Sequence, residues 1–192
     1  MKAVCVFCGS SSGAKPVHRD AAITLGREIA ERGLRLVYGG GKVGLMGALA
    51  DAALEAGGEV VGVIPQALVD EEVAHNGVTE LIVVGTMHER KAWMADVADA
   101  FVAMAGGFGT FEEFCEVLTW TQLGFHKKPC GVLNVDGYYD PLLQLFDRAV
   151  TDRFLRPEHR AIVLTAETAA DILDQLAAWK PAKIDKWIDR SV

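Results

Sequence analysis

Residues 34–58, LRLVYGGGKVGLMGALADAALEAGG, contain the pattern that decides the fold. The apolar run 34–38 predicts a short buried strand, and the glycine-rich residues 39–44 predict a tight turn. The alanine- and leucine-rich run 45–56 predicts a helix that ends at the glycine pair 57–58. A strand, a glycine turn and a helix in succession form the repeating unit of an α/β protein.

The same alternation of strand and helix continues along the chain. Most of the strand candidates are continuous apolar runs, which are typical of a parallel sheet that is covered on both faces. The sequence therefore predicts a Rossmann-like, doubly wound, mostly parallel α/β sheet of about seven strands flanked by helices. We expect it to form one domain over residues 1–192. The predicted strands are 3–8, 34–38, 60–64, 81–84, 100–104, 131–135 and 161–165, and the predicted helices are 16–32, 45–56, 88–97, 110–123, 141–154 and 168–179.

Composition and charge exclude several classes of protein. The chain has 192 residues, of which 51% are hydrophobic and 23% charged, a balance typical of globular proteins. A net charge of −7 argues against a general nucleic-acid binder, although local amides can still hold a small anion. No apolar run approaches the roughly 18 residues of a membrane span, and MKAVCVFCGS predicts a first strand rather than a secretory signal. We therefore expect a cytoplasmic protein without membrane or nucleic-acid partners.

Four cysteines raise the question of metal or redox chemistry. Cys5 and Cys8 form a CxxC motif, but residues three apart in a strand point to opposite faces of the sheet. Cys115 falls in a predicted helix and Cys130 in an apolar run that continues into a predicted strand. We interpret all four as ordinary buried thiols.

Three glycine-rich turns follow predicted strands and precede predicted helices: residues 9–13 (GSSSG), 39–44 (GGGKVG) and 106–110 (GGFGT). Free amides and the positive end of the dipole make a helix N-terminus an anion site. Because the carboxyl ends of parallel strands share one sheet edge, the three turns indicate a ligand that contains phosphate.

The third turn leads into Phe111, Glu112 and Glu113, which places two carboxylates in the first turn of the predicted helix. Acids there can simply complement the helix dipole. Glu112, Glu116 and Thr119 share one side of this helix, which suits either a pocket wall or solvent. Arg90 would face the same crevice if the strand before it neighbours the strand before Gly106, and its planar guanidinium suits phosphate or carboxylate.

Further motifs make the chain resemble the LOG family, the cytokinin riboside 5′-monophosphate phosphoribohydrolases long mislabelled as lysine decarboxylases. The matching segments are 39–47 (GGGKVGLMG), 87–91 (MHERK) and 106–113 (GGFGTFEE), with similarity also at 119–124, 128–129 and 136–139. The resemblance runs in order from about Cys5 to about Asp147. The family's third motif normally begins Pro-Gly-Gly, and Ala105 replaces that proline, which leaves this backbone position less restricted.

The resemblance implies hydrolysis of the N-glycosidic bond of N6-modified adenosine 5′-monophosphates, or of AMP, to a free base and ribose 5-phosphate. It implies no cofactor and no metal, and a homodimer or higher homo-oligomer. It assigns Arg90 and Glu113 as the catalytic pair. The positions that it implies for substrate contact are Glu72, Arg90, Lys91, Gly106, Gly107, Phe108, Gly109, Thr110, Phe111, Glu112 and Thr119.

The implied chemistry is physically coherent. Cleaving a ribosyl C–N bond develops positive charge on the sugar, which an ionised carboxylate near C1′ would stabilise. We expect the helix dipole and Arg90 to keep Glu113 ionised, and the amides of Gly107 to Thr110 to hold the phosphate. His75, His88 and His126 have no orienting partner visible in the sequence, so we interpret them as structural or surface residues.

Three other functions are alternatives to this hypothesis. A non-catalytic nucleotide-binding module would share the fold. A lysine decarboxylase would need pyridoxal phosphate and a Schiff-base lysine, for which the sequence presents no recognisable pocket. An NAD-dependent oxidoreductase is disfavoured because the GxGxxG match at 39–44 follows the second strand, whereas that motif belongs after the first.

Overall fold

The computed structural model describes residues 1–71 and 73–181, and within them seven parallel strands form one sheet. The predicted strands agree with the observed ones within two residues at each end. The strands are β1 (Ala3–Phe7), β2 (Arg35–Tyr38), β3 (Val60–Pro65), β4 (Glu80–Val84), β5 (Ala100–Ala103), β6 (Cys130–Leu133) and β7 (Val163–Ala166).

Eight α-helices lie between or after these strands in the described part of the chain. The six predicted helices are present, and two helices of four and five residues were missed because so short an element has no apolar periodicity. The helices are α1 (Pro16–Glu31), α2 (Gly44–Glu55), α3 (Gln66–Asp70), α4 (Met87–Val97), α5 (Phe108–Leu123), α6 (Asp140–Thr151), α7 (Pro157–Arg160) and α8 (Ala169–Ala178), and a 3₁₀ turn covers Val135–Gly137.

The strand order β4-β3-β2-β1-β5-β6-β7 confirms the predicted doubly wound, Rossmann-like class. The chain runs outward from β1 to β4, then returns across the sheet and adds β5 on the other side of β1. The direction of winding therefore changes between β1 and β5. In sheets of this kind, ligands bind in the crevice at this point, beyond the carboxyl ends of the strands.

Two apolar cores cover the two faces of the sheet. Helices α1, α2 and α8 supply one core, and α4 and α5 supply the other. Cys8 lies in the first core and Cys5 in the second, which confirms that the CxxC cysteines point to opposite faces. All four cysteines are free thiols.

No helix in the described residues is long and apolar enough to cross a membrane. The organisation of residues 1–192 as one domain stays a prediction.

Candidate active site

Arg90 reaches the crevice by a different route from the one predicted. The strand before it, β4, is an edge strand and is separated from β5 by three strands, so the condition that these two strands are neighbours is not met. The helix α4 crosses back beneath the sheet and packs on β3 and β1. This crossing, which the sequence could not reveal, carries Arg90 to the carboxyl ends of β2 and β3.

Three oxygen atoms of the protein contact the guanidinium of Arg90. Its Nε donates a hydrogen bond to the Val63 carbonyl at 3.0 Å, and its Nη2 donates to the Gly39 carbonyl at 3.2 Å. Its Nη1 lies 3.4 Å from Oε1 of Glu113. Arg90 is 8% exposed and Glu113 is 7% exposed, so the pair is largely screened from water.

Gly39 provides the space for this guanidinium. A Cβ atom at this position would lie 1.9 Å from Nη2 of Arg90 and 3.0 Å from the sulfur of Met46. Both distances are well below normal contact, so no side chain fits while Arg90 keeps its place. The second glycine turn therefore serves Arg90 directly.

The two carboxylates of α5 lie one turn deeper in the helix than predicted. The helix begins at Phe108 rather than at residue 110, so Glu112 and Glu113 fall in its second turn. The influence of the helix dipole decays within the first turn. The dipole therefore contributes less to the ionisation of Glu113 than expected.

Burial is the main influence on Glu113. It raises the pKa of this carboxyl above its usual 4.5, and the nearby Arg90 guanidinium, which lowers the pKa, offsets only part of the shift. Arg90 acts in the expected direction, but the net shift is opposite to the expectation that the surroundings keep Glu113 ionised. A buried carboxyl with a raised pKa beside a fixed cation is typical of acid–base sites.

Lys91, Glu112 and Glu116 contact one another rather than standing free. The Lys91 ammonium pairs with both carboxylates and so joins α4 to α5. Burial alone would lower the pKa of Lys91, but the hydrogen bonds to the two carboxylates outweigh it and raise the pKa. The polar side of α5 is therefore the binding surface for Lys91.

Thr119 lies away from Glu113. It is six residues further along α5, which corresponds to about 9 Å of helix rise. Its hydroxyl donates to the Cys115 carbonyl of its own helix at 2.7 Å. The structure thus brings Arg90, Glu113, Lys91 and Glu112 together and leaves Thr119 apart. Glu72 lies outside the described residues.

The turn before α5 has the properties of an anion site. Gly107 is the N-cap residue of this helix and supplies no side-chain cap, whereas threonine side chains cap α4 and α8. The Phe111 amide donates to the Gly107 carbonyl at 3.1 Å, so the amides of residues 108–110 precede the first helical bond. A Cβ atom at Gly107 or Gly109 would meet nothing within 4 Å. This face of the turn is open, and Phe108 beside it is 93% exposed.

The glycine-rich turn before α2 differs from the turn before α5 in the hydrogen bonding of its amides. The Gly9 carbonyl accepts the amides of Leu45 at 3.1 Å and Met46 at 3.4 Å, and the Lys42 amide donates to the Val73 carbonyl at 2.8 Å. These amides are therefore satisfied within the protein. The second turn therefore does not offer these amides to a phosphate.

A cavity of about 620 Å³ lies between the first and third turns, at the point where the winding direction changes. Residues 9–15 of the first turn and Gly106 and Gly107 of the third turn line it, together with Tyr138. The Tyr138 hydroxyl donates to the Gly106 carbonyl. Tyr138 lies in the segment 136–139 that resembles the family but has no predicted role, although the Asn134-x-Asp136-Gly137 pattern after β6 is a turn signal that points to this segment.

His75 has a partner that the sequence did not reveal. Its Nδ1 accepts the Gly77 amide at 3.1 Å, so its Nε2 carries the proton and bonds the Asp51 carboxylate at 2.9 Å. The His75 amide donates to the Gly40 carbonyl at 2.9 Å, which fastens this segment to the second glycine turn. His126 packs against Phe101, and burial lowers its pKa to about 4.

Within residues 1–71 and 73–181, no group of three or more histidine, cysteine, aspartate or glutamate side chains could hold a metal ion. The absence of a cofactor stays a prediction.

Fold and crevice together define a Rossmann-like α/β protein that has an uncapped glycine turn beside a buried arginine–glutamate pair. A family model described as "Possible lysine decarboxylase" matches residues 46–176. The chain is 52% identical over 180 residues to the cytokinin riboside 5′-monophosphate phosphoribohydrolase LOG5 of Arabidopsis thaliana, covering 94% of this chain and 79% of that protein. It is 51% identical over 178 residues to the LOG enzyme of Oryza sativa subsp. japonica, covering 93% and 74%.

This chain therefore belongs to the LOG family, which confirms the resemblance of its motifs. Among solved structures, the molybdenum cofactor binding protein from Rippkaea orientalis has a TM-score of 0.71 at 23% identity, and the match covers 93% of this chain and 97% of that one. At this identity the likeness shows the shared fold alone.

Proposed function

We propose that this chain hydrolyses the N-glycosidic bond of N6-modified adenosine 5′-monophosphates, and of AMP, and releases the base and ribose 5-phosphate. The observation that carries this proposal is the buried carboxyl of Glu113, held 3.4 Å from Arg90 on the helix that follows an uncapped glycine turn. The relatives at about half identity are phosphoribohydrolases by name, and their activity fits this arrangement.

The glycine turn before α5 binds the 5′-phosphate. The amides of Phe108, Gly109 and Thr110 lie at the positive end of the helix and suit phosphate oxygens. Gly107 and Gly109 have no side chains that would keep the phosphate away from the backbone. A phosphate fixed at this end holds the ribose in one place, and positioning of this kind lowers a barrier by several kcal/mol.

Glu113 acts on the anomeric carbon. In its ionised form it stabilises the positive charge that develops on the ribose, and it accepts a proton from the attacking water. The raised pKa of this carboxyl makes it a stronger base than an exposed glutamate. Because the site excludes water, the interaction between the carboxylate and the sugar cation is stronger than it would be in solution.

Arg90 supports the ionised form of Glu113 and orients it. Two backbone carbonyls fix the guanidinium, so it need not reorganise during the reaction. Lys91 supports this pair indirectly. It forms ion pairs with Glu112 and Glu116, whose negative charges would otherwise raise the pKa of Glu113 further. Glu72, Lys91, Glu112 and Thr119 stay proposed substrate contacts.

We further propose that the chain acts as a homodimer in the cytoplasm. Thr119 lines a separate cavity with Cys115 and Phe154, away from the cavity between the first and third glycine turns, so we assign its substrate contact to the site of a second copy. Large exposed aromatic side chains, Phe108, Phe125 and Phe154, are available for an interface. The four free thiols fit a reducing compartment. Light scattering at several protein concentrations measures the oligomeric state.

The central test is base release by purified protein from AMP, isopentenyladenosine monophosphate and the matching nucleosides. Glu113→Gln should abolish release and Arg90→Ala should lower it by about 10²- to 10³-fold, while circular dichroism shows a folded protein. Glu116→Gln is the matched control, because it makes the same carboxylate-to-amide change three residues along α5 and should retain activity at neutral pH. Full activity of Glu113→Gln would reject the assignment. Binding of AMP without any release by the wild type would instead favour a non-catalytic module.

A further inference from the structure

The peptide between Gly106 and Gly107 is held by a hydrogen bond from another part of the fold. The Tyr138 hydroxyl, from the connection between β6 and α6, donates to the Gly106 carbonyl. A trans peptide is planar, with its C=O and N–H pointing in opposite directions. Fixing the Gly106 carbonyl toward Tyr138 therefore also fixes the Gly107 N–H away from it.

The preceding peptide is fixed from the opposite side. The Gly9 amide, in the first turn, donates to the Ala105 carbonyl at 2.9 Å. A Cβ atom at Gly106 would lie 2.1 Å from Oγ1 of Thr110, so this side of the turn is closely packed. Residue 105 is alanine and does not restrict its own φ angle as a proline would. The orientation of the turn is therefore set by hydrogen bonds from its two neighbours.

Tyr138 is itself firmly placed. The buried Asn134 side chain accepts the Tyr139 amide at 2.7 Å and donates to the Asp140 carboxylate at 2.7 Å. Asp136 adopts a left-handed conformation with φ of 55° and pairs with Lys15 at the start of α1. The segment that carries Tyr138 is thus tied to α6 and to α1.

The ring of Tyr138 is held as well. It packs edge-on against His18 at 5.6 Å between ring centroids and lies beside Phe111 at 6.4 Å. These contacts do not involve the hydroxyl. Removing the hydroxyl alone therefore leaves the ring in place and frees only the Gly106 carbonyl.

We propose that Tyr138 is a positioning residue for phosphate: its hydroxyl orients the Gly106–Gly107 peptide so that the glycine turn presents its amides to the 5′-phosphate of the substrate. This inference rests on the proposed function, because it concerns the same turn. Tyr138 acts on the turn through the Gly106 carbonyl, and the energy of its hydrogen bond is used to order the turn before the ligand arrives.

The test compares ligands that have or lack a phosphate in Tyr138→Phe. The variant should raise the KM for AMP and the Kd for ribose 5-phosphate by about three- to tenfold, the effect of losing one hydrogen bond. The Kd for adenosine, which has no phosphate, should stay within about twofold. Steady-state kinetics give KM and kcat separately, and calorimetry gives the dissociation constants.

Tyr139→Phe is the matched control. Its hydroxyl also donates to a backbone carbonyl, that of Met104 at 2.6 Å, but this pair is buried in the core behind the turn. The control should lower the melting temperature and leave the ratio of AMP to adenosine affinity unchanged. A purely structural role for Tyr138 predicts the same pattern for both variants.

Unchanged binding in Tyr138→Phe, or equal weakening of AMP and adenosine, would overturn the proposal, as would a wild-type protein that binds neither AMP nor ribose 5-phosphate. Failure of the proposed function is seen separately, because it is the absence of base release by the wild type. In that case the affinity ratio of the two ligands still decides the role of Tyr138.

Discussion

Gly39→Ala should remove the function of Arg90 while leaving the arginine in the sequence. The added Cβ would lie 1.9 Å from Nη2 of Arg90, so the guanidinium must leave its place beneath β2 and β3. Gly39 is not among the glycines with positive φ in the described part of the chain, so alanine brings no backbone strain. The perturbation is therefore a steric displacement of a single buried side chain.

The magnitude follows from what the displacement breaks. The Gly39 and Val63 carbonyls lose their donor, and the contact between Arg90 and Glu113 opens. Loss of one preorganised electrostatic group costs about 10²- to 10³-fold in kcat, and we expect a value in this range for Gly39→Ala. Overpacking at the site should lower the free energy of unfolding by about 1–3 kcal/mol.

A double-mutant cycle tests whether the effect passes through Arg90. In an Arg90→Ala background the guanidinium is gone, and only the flexible Met46 side chain, whose sulfur would lie 3.0 Å from the alanine Cβ at position 39, must shift slightly. Gly39→Ala should then cost no further activity and little stability, so the two effects on base release are strongly non-additive. Adenine release from AMP and thermal unfolding are measured for all four proteins. Additive losses, or wild-type kcat in Gly39→Ala, would refute the reasoning.

Three further predictions follow from the same geometry. Since Glu113 must be ionised to act, activity should fall as the pH drops through its raised pKa. The midpoint of that fall should move to higher pH in Arg90→Ala and to lower pH in Glu116→Gln, because Arg90 lowers this pKa and Glu116 raises it. Equal midpoints in pH profiles of kcat/KM would contradict this prediction. Asp51→Ala removes the hydrogen-bond acceptor of His75 and should lower the free energy of unfolding by about 1 kcal/mol, whereas Asp51→Asn keeps an acceptor and should lower it less. Hydrogen exchange at the His75 amide measures how far the segment around His75 opens, and identical exchange rates in both variants would contradict a role for the Asp51–His75 hydrogen bond. Burial raises the pKa of Cys130 to about 12, so its thiol should react with a disulfide reagent only after the protein unfolds. Fast labelling of Cys130 in the native protein would contradict this prediction.

The strands and the class of fold were predictable because their signal is local. The central strands are short runs of apolar residues, and β1, β5 and β6 are fully buried, whereas the edge strands β4 and β7 are only partly buried. The predicted start of α5 is two residues late because its first two residues, Phe108 and Gly109, are poor helix formers, and the turn that precedes them decides the boundary instead. The helices α3 and α7 are too short to show a period.

The site itself was only partly predictable. The motif resemblance assigned Arg90 and Glu113 to one site, and the structure places them 3.4 Å apart, although their catalytic roles stay a prediction. The order of the strands is not contained in local patterns, so the route of α4 beneath the sheet could not be derived. Local patterns likewise do not distinguish the roles of the second and third glycine turns. In the structure, the second turn makes room for Arg90, and the turn before α5 leaves its helix amides open.

In the proposed mechanism, burial of Glu113 has two opposite effects on its activity. A site that excludes water strengthens the interaction of a carboxylate with a sugar cation, but the same burial favours the protonated and inactive form. One fixed cation offsets part of this penalty, provided that it stays close in the absence of substrate. Arg90 meets this condition because two backbone carbonyls hold it, and they can do so only if residue 39 has no side chain. The glycine after β2 is therefore an electrostatic requirement of the site, although it neither carries a charge nor contacts the carboxylate.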